Sequence, residues 1–83
     1  MDAITGGQLI KALALLAAGL AMGLGAIGPG IGEGFVGGKA CEALGRRPDE
    51  SDLITRTMII GQAISETTGI YSLVIALILI FVV

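Results

Sequence analysis

Two carboxylates carry most of the chemistry open to this sequence. Glu66 lies in "GQAISETTGIY" (residues 61–71), and residues 67–83 after it contain no charge. Glu33 lies in "IGPGIGEGFVGG", again among apolar and small residues. An acid with apolar helix on both sides is expensive in a bilayer and marks function by default. Two such acids facing each other cannot both be ionised without a cation.

Oxygen donors gather near Glu66. Thr67 offers a hydroxyl, Tyr71 a phenol, and Gln62 an amide four residues back on Glu66's own face. Successive helical residues point ~100° apart, so Glu66 and the Thr67/Tyr71 pair face different neighbours. A site using both lies between two copies of the chain. Oxygen-rich sites suit hard cations. A carboxylate, a hydroxyl, a backbone carbonyl and a second acid could hold Na⁺. If one acid keeps its proton, the filled site is neutral and can cross lipid. The blander alternatives are that Thr67 and Thr68 bond their own backbone, and that Glu33 marks a helix end in water.

Other chemistries are excluded. With no histidine, histidine-dependent triads and the usual zinc sites cannot be built from this chain alone. No nucleophile–base pair is present, so no catalytic site is expected. Cys41 is the only cysteine, which precludes an intrachain disulfide and reads as a small packing residue. The net charge is −2 and no basic patch interleaves with aromatics, so nucleic acid is not a partner.

The elements that must position the acids follow from the charge pattern. The chain has 83 residues, of which 54% are hydrophobic and 14% charged, a balance suited to a membrane and not to a small soluble core. Eight of the twelve formal charges fall between Lys39 and Arg56. Two apolar spans, about 9–38 and 53–83, therefore flank one polar loop. The expected fold is an all-α membrane protein, a two-transmembrane-helix antiparallel hairpin with helix 1 over about 9–45, a loop over 46–50 and helix 2 over about 51–83. Ser51 or Asp52 is the expected cap of the second helix. Four of the five Lys and Arg residues lie near the loop, which places it in the cytoplasm and both termini outside. "MDAITGG" lacks the basic region of a cleavable signal peptide, so the first span is expected to stay in the membrane.

Positions 33 and 66 are equidistant from 49.5, inside the loop. In an antiparallel hairpin they should therefore sit at one height. Glycines at 19, 23, 25, 28, 30, 32, 34, 37 and 38 make the first helix poor in water but closely packable in lipid. Their density suggests crowding on more than one side, as inside a tight ring. "GLGAIG" (residues 23–28) is a literal GxGxxG, but no strand precedes it and it lies within a span, so a dinucleotide site is rejected. Pro29 should kink the helix locally.

Residues 27–48, "IGPGIGEGFVGGKACEALGRRP", together with residues 61–81, "GQAISETTGIYSLVIALILIF", resemble the c subunit of F-type ATP synthases, most closely its sodium-binding bacterial members. The likeness covers essentially the whole chain and implies a ring of identical chains in a bacterial inner membrane. On this resemblance Glu66 carries the ion and Glu33 matches the helper position on helix 1. Ile64 gives a backbone carbonyl, Thr67 a hydroxyl, Tyr71 a hydrogen bond to the carboxylate, and Thr68 a hold on water. Arg46 and Pro48 match the loop that grips the central stalk, with Arg47 where the family usually has Gln. Stator subunit a, the central-stalk subunits and membrane lipid are the implied partners. Ion flow through such a ring couples to ATP synthesis or hydrolysis. The same ring carrying H⁺ is the alternative, and a holin-like pore-forming hairpin is a remoter one that leaves the matched acids unexplained.

Overall fold

The computed structural model describes residues 3–83; the first two residues of "MDAITGG" lie outside them. Three α-helices form one hairpin: α1 (Gly6–Gly25), α2 (Ile27–Arg46) and α3 (Ser51–Phe81). Helix α1 starts where Thr5 adopts an extended backbone and its side chain accepts from the Gln8 N–H at 3.1 Å. The Gln8 side chain in turn accepts from the Thr5 N–H at 3.0 Å. This Thr-x-x-Gln capping box satisfies two donors that a bare helix start leaves open. It starts the helix at Gly6, ahead of the expected position near residue 9.

The first apolar run is helical in two pieces, interrupted at Ala26. Proline has no N–H, so Pro29 cannot donate to the carbonyl four residues back, at Gly25. The interruption sits one residue past that orphaned carbonyl. The ladder resumes at once, with the Gly30 N–H donating to the Ala26 oxygen at 2.9 Å. The chain then bends at Arg47 (φ −133°, ψ 66°) and passes through a 3-10 turn, Pro48–Glu50, into α3.

The expected cap on α3 is absent. Neither Ser51 nor Asp52 caps it, and Glu50 in the N-cap position makes no side-chain cap bond. Because the helix is entered from a 3-10 turn, Ser51 already has helical angles (φ −57°, ψ −38°). No extended residue is left from which a side chain could reach back.

Small side chains set how the helices dock. A Cβ on Gly32 would stand 2.7 Å from the Ser65 hydroxyl, and one on Gly61 would stand 3.3 Å from Val36. Gly25 sits against Ser72 in the same manner. Numbers rise along one helix as they fall along the other, which defines the antiparallel register. Buried apolar positions are alanines: Ala14, Ala18, Ala40 and Ala76. Close backbone approach and dispersion, not large interlocking side chains, hold this seam. At the open end Lys11 donates to the Ile80 carbonyl, one of the last carbonyls of α3, which have no partner within the helix.

The hairpin measures 67 × 19 × 11 Å. Its length exceeds the ~40–45 Å of a whole bilayer, so one end stands in water. Two stretches, Gly6–Arg46 and Pro48–Phe81, are long and apolar enough to cross a membrane. Large apolar side chains point outward along both, among them Leu24, Ile31 and Phe35. Such a surface needs lipid or other chains around it. The protein is an all-helical membrane hairpin.

Candidate functional site

The bend determines which residues share a height, and Glu66 is the middle residue of α3. Glu33 on α2 lies opposite. The two side chains neighbour each other across the seam. Two carboxylates have no donor between them, so a bond from one to the other would need a proton. Both residues are half-buried even in the single hairpin. The Glu66 carboxyl is tucked over Gly69, where an added Cβ would stand 3.1 Å from Oε1 and 3.4 Å from the Pro29 ring. Gly69 and Pro29 are both buried, so they wall the pair on one side.

Gln62 is half-buried beside them. It shares Glu66's face, but its Nε2 donates to the Glu33 backbone carbonyl at 3.2 Å. Ile64, Thr67 and Tyr71 are not part of this cluster. They lie on the far side of α3 and are exposed, Ile64 to 70% and Tyr71 to 66%. The Thr67 hydroxyl donates to the Ala63 carbonyl of its own helix at 3.3 Å. Thr68 is exposed too, and its carbonyl accepts from the Ser72 hydroxyl at 3.1 Å. One hairpin therefore carries two separate groups on different faces of α3: Gln62 and Glu66, with Glu33 opposite, on one, and Ile64, Thr67 and Tyr71 on the other. Only two of these residues are acids, and no cluster of three or more metal-ligating His, Cys, Asp or Glu side chains occurs among the described residues.

The loop is charged and exposed. Glu42 pairs with Arg46 at 2.7 Å and with Lys39 at 3.5 Å. Arg47 reaches Asp49 at 3.6 Å and Glu50 at 3.5 Å. Lys39 also lies over the Phe35 ring at 5.7 Å from its centroid. The Thr5–Gln8 box escaped the sequence reading, although its spacing is a readable helix-start signal.

Fold and site together define a membrane-spanning helical hairpin with a pair of half-buried ionisable groups at mid-span. Known proteins agree. The family model for the C subunit of ATP synthase matches residues 16–79. The ATP synthase c subunit of Alkaliphilus oremlandii is 58% identical over 81 residues, covering 98% of this chain and 91% of its own. That of Natranaerobius thermophilus is 54% identical over 78 residues, 94% of this chain and 90% of its own. That of Thermotoga petrophila is 52% identical over 81 residues, 93% of this chain and 95% of its own. The chain belongs to the family of ATP synthase c subunits. It is an ion-translocating component of the membrane sector and not itself a catalyst.

Proposed function

We propose that identical hairpins close into a rotor ring and that each junction between copies holds one Na⁺. The observation that carries this reading is the placement of the two groups on different faces of α3. Glu66, with Glu33 beside it, comes from one copy. The Ile64 carbonyl and Thr67 hydroxyl come from the next, whose Tyr71 donates to the Glu66 carboxylate. Thr68 holds a water and Gln62 supports the pair. Apolar faces left bare on each hairpin are covered by neighbours and by membrane lipid.

Coupling follows from charge. With Na⁺ bound and one acid protonated, the junction is neutral and passes lipid. Emptied, it carries an unpaired carboxylate and stays where stator subunit a solvates it. Each ion moved across the membrane delivers about 2.3 kcal/mol per 100 mV, so several are needed per ATP. The loop of Arg46, Arg47 and Pro48 faces the cytoplasm and grips the central stalk, with both termini outside a bacterial inner membrane.

A second reading keeps the ring and replaces Na⁺ by H⁺. Two acids set opposite each other in apolar surroundings cannot both be ionised without a cation, which leaves room for a proton as the carried ion. Residue-resolved carbodiimide labelling of the purified oligomer, with and without Na⁺ at fixed pH, decides between them. Carbodiimides attack protonated carboxyls in apolar sites. Labelling of Glu66 that Na⁺ slows supports the sodium ring. Labelling indifferent to Na⁺ supports the proton ring, and no labelling of either acid rejects both.

A further inference from the structure

Towards the loop, the seam between the arms opens into a cleft of about 410 Å³. Phe35, Lys39 and Ala43 line it from α2, and Leu53, Thr57 and Met58 from α3. Lys39 and Thr57 are the polar residues of its wall, and both are engaged within their own hairpin. The Thr57 hydroxyl donates to the Leu53 carbonyl at 2.8 Å. Lys39 pairs with Glu42 and lies over the Phe35 ring. The cleft thus offers apolar walls and no unpartnered polar side chain, which suits apolar atoms better than a charged headgroup.

The cleft lies on one edge of the hairpin. On α3, Leu53, Thr57 and Ile64 are spaced by four and seven residues and share a face. Ile59, seven residues before Glu66, shares the face of that acid instead. Two helical residues turn through ~200°, so Thr57 and Ile59 point ~160° apart. Ile59 is 58% exposed and lies outside the cleft wall. The Val36–Gly61 contact gives its height. Stepping two residues from that contact along each arm places Ile59 level with Gly38, within the stretch of α2 that walls the cleft. On the edge that carries Ile59, Gly37 meets Gln62, and the adjoining Gly34 and Gly38 face open space. One edge therefore carries a hollow; the other carries an exposed apolar knob at the same height, beside bare backbone.

We propose that the cleft receives Ile59 of a second copy of this chain, and that this contact joins adjacent copies near their loops. The inference rests on the ring reading above and adds to it a packing contact away from the ion site. Copies in one membrane stand at one height, because their apolar spans match the same hydrocarbon layer. Ile59 of one copy then meets the cleft of the next. Phe35, exposed at the rim of that cleft, lies over the open Gly34 and Gly38 backbone of the copy that supplies Ile59. The giving and receiving edges are different surfaces, so the contact is head-to-tail. Contacts of that kind leave no edge bare only when the copies close into a ring.

The test uses the full chain purified as its oligomer, in a Cys41→Ser background that removes the exposed native thiol. Thr57→Cys and Ile59→Cys are combined in every chain, and the oligomer is oxidised. The two thiols point away from each other on one helix and cannot bridge within a chain, so each disulfide joins two copies. A ladder of dimers, trimers and higher species on non-reducing gels is expected, with neither single variant cross-linked. Cross-linking of a single variant shows like edges meeting and overturns the inference; so does an intact oligomer that yields no ladder. Where the thiols prevent assembly, a second pair of variants decides. Ile59→Ala trims the knob and should raise the monomer share in native mass spectrometry about tenfold or more, the scale of a large-to-small change in apolar packing. Thr57→Met lets the wall grow into the cleft. Alone it should also release monomer; combined with Ile59→Ala it should recover part of the oligomer. Additive losses in the combined variant overturn the inference. A photoreactive phosphatidylglycerol that labels Thr57 or Met58 in the intact oligomer would put an acyl chain in the cleft and overturn it too. A monomeric unaltered protein in mild detergent removes the ring reading and this contact with it. An intact oligomer with neither ladder nor recovery removes this contact alone.

Discussion

Ser72 lies so close to Gly25 that a methyl group at position 25 would come within 2.6 Å of the serine Cβ. The contact falls where α1 ends and the chain passes through Ala26, so the seam is tightest beside the helix interruption. Gly25→Ala should therefore destabilise the hairpin, by about 1–3 kcal/mol for an overpacked site. Ser72→Gly in the same chain should restore most of that loss. Unfolding titrations of the purified protein in mixed micelles would check both. An unaltered midpoint for Gly25→Ala alone would contradict the packing described.

The proposed sharing of one site between adjacent copies predicts a specific behaviour of mixed rings. A tandem fusion alternates copies bearing Glu66→Gln with copies bearing Thr67→Ala. If each junction takes its acid from one copy and its hydroxyl from the next, half the junctions are intact and half lack both groups. The remaining Glu66 residues should then show the Na⁺ protection of the unaltered protein. Protection weakened to the level of a ring made wholly of Thr67→Ala would mean that acid and hydroxyl come from the same copy.

Glu66→Gln should abolish ion-coupled transport while the oligomer still assembles. The substitution is nearly isosteric and the packing against Gly69 and Pro29 is retained. Reconstituted vesicles read the transport, and native mass spectrometry reads the assembly. Loss of the oligomer would show that the acid is a structural group.

Arg47 makes two ion pairs, both between exposed groups. Exposed pairs contribute about 0–1 kcal/mol each. Arg47→Gln should leave hairpin stability within about 1 kcal/mol of the starting value. Thermal unfolding would check this, and ATP-driven ion pumping by the assembled complex would show separately whether the second arginine serves the stalk.

Lys11→Met should loosen the last turn of α3. It removes the donor that satisfies the Ile80 carbonyl and a cation placed favourably at a helix C-terminus. Amide exchange at residues 79–83 should quicken while exchange near Glu66 is unmoved. Uniform quickening along α3 would instead mean that Lys11 holds the whole hairpin closed.

Much of this molecule is legible before folding. Two uncharged runs separated by a charge-rich loop, each long enough to cross a bilayer, leave an antiparallel hairpin as the economical arrangement. Equal distance of Glu33 and Glu66 from that loop puts them at one height, and in the folded chain Gln62, one turn from Glu66, reaches the Glu33 carbonyl. The angle between Glu66 and Thr67 follows from helix geometry alone. These features depend on order along the chain and on a repeat of about 3.6 residues per turn, which is the same in any α-helix.

Other features were decided only when the arms docked. Gln62 shares a face with Glu66, which makes a bond between them the natural expectation. Its amide instead crosses to the Glu33 carbonyl, because Gly37 leaves a notch that admits it. The glycines likewise look alike in the sequence. Gly25, Gly32 and Gly37 meet α3, whereas Gly19, Gly23, Gly28, Gly30, Gly34 and Gly38 face open space. Which glycine does which depends on rotation about the helix axis and on axial register. Both are set by the interlocking of small side chains between the two arms, and no local pattern along one strand of sequence encodes them.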